Sequence, residues 1–156
     1  MRQFPVFHLI QKAHCALFRA ADHALKDYEG LTATQHAVLF ILLRQDGAPI
    51  SAIADELNMG KSSLTGLIDR MSEKGFLRRA QSKTDARSYE VYLEDLGRQV
   101  GESSLTGTRQ INSAILEPFN AKEQAIIERF LEHVSSNSAE IVSAEIEKIY
   151  NQRSKK

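Results

Sequence analysis

Gly60-Lys61-Ser62 are the three residues that close a nucleotide-binding phosphate loop, Gly-x4-Gly-Lys-Ser/Thr, in which glycine amides wrap phosphate oxygens after a buried strand. The pattern fails at its other end. Its first glycine would fall at Asp55, an acid that repels phosphate, and the preceding stretch Ala52 to Leu57 reads as helix rather than strand. The other reactive side chains are no better organised. His8, His14, His23, His36 and His133 include no i, i+4 pair that would hold a metal on one helix face, and no motif orders the many Ser, His and Asp residues for catalysis. The sequence therefore predicts no catalytic residues, no metal and no cofactor. The single cysteine, Cys15, has no partner for a disulfide and is expected to be a small, buried helix residue.

The alternative for Gly60-Lys61-Ser62 is the start of a helix that meets a phosphate-bearing polymer, and the surrounding elements decide it. Ala52 to Leu57, with Ser51 as cap, reads as a short helix with Ile53 and Leu57 facing inward. Asn58-Met59-Gly60 makes a tight turn. A second helix opens at Lys61 or Ser62, places Leu64, Leu67, Ile68 and Met71 on one side, and ends at Gly75 as its left-handed cap. Two helices joined by a short glycine-containing turn form a helix-turn-helix. After Gly75 the apolar period changes from 3.6 to 2. Phe76 to Arg79 reads as a strand, Gln81 to Arg87 as a charged tip, and Ser88 to Leu93 as a return strand with Tyr89, Val91 and Leu93 on one face.

Around this hairpin the chain is helical. A long amphipathic helix runs from Val6 to Tyr28 and stops at Glu29-Gly30. Thr32 and Gln35 have the spacing of a capping box, which opens a helix from about Ala33 to Arg44 that is apolar nearly all round and so central. Residues 45–49 read as a turn. A helix from Asp95 to Leu116 carries Gly97, Gly101 and Gly107, which lower its propensity, and Pro118 ends it. Asn120 with Glu123 caps a last helix that continues to the C-terminus. The fold class is mainly α (α+β): a winged helix-turn-helix lobe over 31–94, with long N- and C-terminal helices, 1–30 and 95–156, as a dimerisation region. These terminal helices carry apolar stripes too long for one small winged domain to cover, so a second copy is the natural partner.

The 156 residues carry no net charge, but the charge is unevenly placed. Between Gly60 and Arg87 there are seven basic residues against three acidic ones, a local excess of +4. A helix-turn-helix presents the early part of its second helix to the major groove, and Ser62, Ser63, Thr65, Gly66 and Asp69 occupy those exposed positions. Solvated polar helix surface is the alternative for such residues, and the basic hairpin beside them favours DNA.

The stretches Leu31 to Leu39, Ile50 to Met59, Ser62 to Arg79 and Asp85 to Leu93, with Gly75-Phe76-Leu77-Arg78 and the wing Asp85-x-Arg87, resemble the MarR family of winged helix-turn-helix transcriptional regulators. The chain departs from the family pattern at Glu94, where a threonine usually precedes the helix after the wing. The resemblance implies a homodimeric, DNA-binding regulator, a repressor, on a pseudo-palindromic operator. It implies that Arg87 enters the minor groove, that Asp85 orients Arg87, and that Lys61 and Lys83 contact phosphates. Arg70 would bridge helix and DNA backbone or pair with Asp69 or Glu73.

Such regulators answer a small, often aromatic and anionic effector that favours a dimer spacing unsuited to DNA. Arg19 and His23, at i and i+4 on the first helix, together with His36 on the second, form the candidate effector pocket; a solvated arginine with two partly buried histidines is the alternative. Two further readings stay open, a redox-responsive regulator using Cys15 and a protein-interaction module without DNA affinity. No apolar run reaches the length of a membrane span and no secretory signal is visible, so with one cysteine a cytoplasmic setting is expected.

Overall fold

A computed structural model describes residues 5–82 and 88–153. Six helices and three short strands follow one another among these residues: α1 (Val6–Glu29), α2 (Ala33–Arg44), β1 (Ala48–Pro49), α3 (Ile50–Glu56), α4 (Lys61–Glu73), β2 (Leu77–Gln81), β3 (Tyr89–Leu93), α5 (Asp95–Leu116) and α6 (Ala121–Arg153). The chain forms two compact units, residues 1–108 and 109–156. No described helix is long and apolar enough to cross a membrane.

In the first unit, Gly30 ends α1 in the left-handed conformation, with φ of 66°. Two residues later the Thr32–Gln35 capping box forms as the sequence predicts, each side chain accepting from the other residue's backbone N–H. Asp22 of α1 adds an acceptor for Ala33 N–H at 2.7 Å and so ties α1 to the start of α2. Val38, Leu39 and Leu42 of α2 are fully buried at the centre of the core. Around them gather Ile53 and Ala54 of α3, Leu64, Ile68 and Met71 of α4, and Leu77, Val91 and Leu93 of the hairpin.

Residues 45–49 are more than the predicted turn. Ala48 and Pro49 form β1, an edge strand that pairs antiparallel with Val91 and Glu90 of β3 and gives the sheet order β1-β3-β2. The proline sits where it harms nothing, since an edge strand leaves one side of its backbone unpaired. This strand also moves the start of α3. The helix begins at Ile50 with Pro49 as its N-cap residue, and Ser51 lies inside the first turn instead of capping it. Pro49, whose φ is already near the helical value, closes the strand and opens the helix.

The hairpin pairs Leu77 with Leu93, Arg79 with Val91 and Gln81 with Tyr89. Strand residues two apart share a face, so Leu77, Arg79, Val91, Leu93 and Tyr89 lie on the side that packs against the helices near its base, while Arg78 and Tyr92 lie on the other. On that second side the Arg78 guanidinium sits 4.5 Å from the Tyr92 ring centroid and 3.4 Å from Glu94. Glu94, the departure from the family pattern, thus serves as an ion-pair partner at the foot of the wing. Asp46 fastens the same corner, accepting from Leu93 N–H at 2.8 Å and from Arg98 at 2.9 Å.

In the second unit, Asn120 accepts from the Lys122 and Glu123 amides while Glu123 accepts from Asn120 N–H, the predicted cap of α6. Gln124 donates to the Leu116 and Phe119 carbonyls and closes the turn at the end of α5. Along α6, Val142, Ile146 and Ile149 recur at i, i+4 and i+7 and remain 46–49% exposed within the chain.

Candidate nucleic-acid interface

The turn between α3 and α4 is set by backbone geometry. Asn58 takes a positive φ of 50°, which asparagine tolerates better than most residues, and Met59 N–H returns to the Ala54 carbonyl at 2.9 Å. Gly60 is the N-cap of α4, with no side chain accepting from the first amides of the helix. The amides of the first turn and the Lys61 ammonium therefore face outward together at the positive end of a 13-residue helix.

The core side of α4 is buried through Leu64, Leu67, Ile68 and Met71, which leaves one face outward. Lys61, Ser62, Ser63, Asp69 and Arg70 are exposed on it, and Thr65 and Gly66 are half-buried. All seven predicted positions of the helix thus share an accessible side. Thr65 donates its hydroxyl to the Lys61 carbonyl at 2.8 Å, so what it offers a ligand is its acceptor lone pairs and methyl group. A Cβ at Gly66 would stand 3.5 Å from Nη1 of Arg70, whose side chain lies back over the bare backbone there. Of the two readings of Arg70, the alternative pairing with Asp69 or Glu73 is not seen among the described residues; Asp69 accepts from Nη1 of Arg79 on β2 at 2.5 Å.

Arg79 is the residue that sequence reasoning missed. Its guanidinium carbon lies 4.6 Å from the Tyr89 ring centroid, and the side chain is only 28% exposed. Together with Tyr89 it walls a groove between helix and hairpin that Ser51, Lys61 and Thr65 complete. The available signal was strand parity: Arg79 falls on the same face as Leu77 and Val91, which points it toward α4 rather than outward. Lys83, Asp85 and Arg87, the predicted wing-tip residues, lie outside the described residues.

The predicted effector residues are only partly brought together. Arg19 and His23 line a shallow groove on the exposed side of α1 with Cys15, Asp22, Lys26 and Asp27, and His23 Nδ1 stands 3.9 Å from Asp27. His36 does not line it. That histidine is buried in the lobe at 3% exposure, its Nδ1 3.1 Å from the Thr32 carbonyl, which requires the proton on Nδ1. Its place in the first turn after the capping box turns it inward, against the expectation that it faces Arg19 and His23. Cys15, expected to be buried, is exposed in the chain. No cluster of three or more His, Cys, Asp or Glu suited to a metal occurs among the described residues.

The model of the MarR family matches residues 31–89, the segment from two residues before α2 to the first residue of β3. The chain is 32% identical over 92 residues to the HTH-type transcriptional regulator TtmR of Methylorubrum extorquens, covering 59% of this chain and 46% of that protein. It is 29% identical over 140 residues to the HTH-type transcriptional regulator PecS of Dickeya dadantii, covering 85% of this chain and 83% of the other. The chain thus spans about half the length of TtmR and most of PecS. Its fold matches MepR of S. aureus, solved as a DNA complex, with a TM-score of 0.78 at 19% identity over 86% of this chain and 99% of that one. It also matches PcaV of Streptomyces coelicolor, solved with its natural ligand, with a TM-score of 0.72 at 22% identity over 87% and 94% of the two chains. Residues 31–89 thus match the MarR family, and the chain shares the fold of MepR and PcaV.

Proposed function

We propose that the protein is a homodimeric, sequence-specific DNA-binding transcriptional repressor that a small anionic ligand releases from its operator. The observation that carries this reading is the outward face of α4, where Lys61, Ser62, Ser63, Thr65, Gly66 and Arg70 stand clear of the core on one side of a helix locked by Leu64, Leu67, Ile68 and Met71. In a helix-turn-helix this face enters the major groove, with the first amides and Lys61 on a phosphate and Ser63 and Thr65 on base edges. The DNA-bound fold relative MepR supports the reading, and so does the resemblance that assigns the minor groove to Arg87, a backbone phosphate to Lys83 and an orienting role to Asp85. Helices from 1–30 and 95–156 would join two copies, which sets two half-sites roughly 10 base pairs apart.

Arg19 supplies the cation and His23 a ring nitrogen at the proposed effector site, and the ligand-bound fold relative PcaV supports a small molecule as the signal. His36, buried in the lobe, does not line this groove. The ligand would act by favouring a dimer spacing that no longer matches the operator.

The test is a fluorescence-anisotropy titration of the intergenic DNA upstream of the protein's own gene at several salt concentrations. Binding should weaken steeply with salt, log K falling by about 0.9 per phosphate neutralised per tenfold salt. A protein-interaction module built on the same helices would show no such binding, and that result would end the regulator reading. The exposure of Cys15 keeps one second reading in play, release by oxidation. Peroxide would then release DNA from the parent protein but not from Cys15→Ser, and equal behaviour of the two removes it.

A further inference from the structure

We propose that Asp69 and Tyr89 hold Arg79 as a pre-positioned phosphate-binding cation between the recognition helix and the wing, so that Asp69 acts through Arg79 and not on a base. The inference rests on the DNA-binding reading above and changes the role of one of its residues. An aspartate on the outer face of a recognition helix would ordinarily be assigned to accept from a cytosine amine. Here its carboxylate is already engaged: Oδ1 stands 2.5 Å from Nη1 of Arg79.

The engagement fixes a side chain that would otherwise be loose. Arg79 is held from two elements at once, by Asp69 on α4 and by the Tyr89 ring on β3, 4.6 Å from its guanidinium carbon. A cation–π contact with the ring and a single carboxylate bond leave further N–H donors of the five-donor fork unspent. Those donors belong to a side chain that walls the groove shared with Lys61, Thr65 and Ser51. The other arginine of the pair shows the contrast. Arg78 lies on the opposite face of the hairpin, over Tyr92 and toward Glu94.

The consequence is a division of labour. A long, flexible cation ordered only on binding loses rotamer freedom at that moment, and a cation ordered beforehand avoids that cost. The Asp69 bond also joins α4 to β2 directly, which fixes the spacing between a helix that reads the major groove and the hairpin that leads to the minor groove. Asp69 and Tyr89 are positioning residues in this scheme, and Arg79 is the residue that meets the phosphate.

A double-mutant cycle on the full-length protein tests it, with anisotropy on two duplexes, the upstream intergenic DNA and an unrelated sequence of equal length. Asp69→Ala should weaken binding about fivefold in the parent and not weaken it in the Arg79→Gln background, where the aspartate is an unpaired negative charge facing phosphate. Arg79→Gln should weaken binding to both duplexes alike and lower the salt slope by about 0.9 for each phosphate no longer neutralised, which a purely structural defect would not do. Tyr89→Phe should keep parent affinity and Tyr89→Ala should resemble Asp69→Ala, with melting temperatures confirming that each variant folds. An equal loss from Asp69→Ala in both backgrounds, a loss confined to the upstream duplex, a gain in affinity in the parent, or an unchanged slope in Arg79→Gln would each overturn the proposal. Absence of salt-sensitive binding by the parent protein is a separate result, and it removes the DNA-binding reading itself.

Discussion

Gly97 of α5 lies against the backbone of Phe76: a Cβ on Gly97 would stand 1.9 Å from the Phe76 carbonyl oxygen. That oxygen is not free to move, because it accepts from Glu94 N–H at 3.0 Å and sits just after Gly75, whose φ of 77° ends α4's last turn. The first turn of α5 is therefore seated on the entry to the wing, and only a residue without a side chain fits there. Gly97→Ala should destabilise the fold by about 1–3 kcal/mol or more, since overpacking against backbone cannot relax by a rotamer change. Chemical denaturation would show a lower midpoint. An unchanged or raised midpoint would mean that α5 is not seated on the wing in this way.

Gly66 makes the opposite case. It lies in the middle of α4, is half-buried, and a Cβ there would meet only the end of the Arg70 side chain at ordinary contact distance. Gly66→Ala should raise stability by up to about 1 kcal/mol through helix propensity. On the proposed interface it should also weaken DNA binding, because a methyl group is added where helix backbone approaches base edges. Stability and affinity moving in opposite directions would separate a DNA-facing glycine from a structural one. If both rise together, the face around Gly66 does not touch DNA.

These two glycines also show where the sequence stops being legible. Local signals read well: the Thr32–Gln35 and Asn120–Glu123 caps, the left-handed Gly75 and the apolar side of α4 each depend on residues within one or two turns. Gly97 and Gly101 could be read only as losses of helix propensity. Their function depends on Phe76 and Leu43, which folding brings against them from elsewhere in the chain. The same holds for β1, which exists because Ala48 meets Val91, and for Arg79, whose partner Asp69 lies across from it only once the hairpin has its register. Spacing placed Arg19 and His23 on one face correctly but could not tell that His36 turns inward, since an apolar helix such as α2 gives no single face to count from.

The resemblance assigns Arg87 a minor-groove role. Arg87→Ala should weaken binding to the upstream duplex by roughly 1–3 kcal/mol, the scale of one well-placed arginine contact. The loss should be larger for operators with A·T-rich flanks, where a narrow minor groove concentrates negative potential. Competition between duplexes differing only in those flanks would measure this. Equal losses on A·T-rich and G·C-rich flanks would make Arg87 a general phosphate ligand instead.

The apolar face of α6 gives the test of assembly. Val142, Ile146 and Ile149 leave nearly half their surface in water in the single chain, on successive turns of one stripe. Burying a side chain of this kind is worth about 1.5–3 kcal/mol, so a stripe of several supplies a substantial drive to associate. The parent chain should sediment as a dimer. Val142→Glu with Ile146→Glu should shift it toward monomer, because two carboxylates would have to be desolvated where the copies meet. The circular-dichroism spectrum of the winged lobe should survive, since neither position belongs to its core. DNA affinity should fall steeply, because a monomer engages one half-site at a time. A double variant that stays dimeric and binds DNA as the parent does would move the dimer interface away from this face of α6.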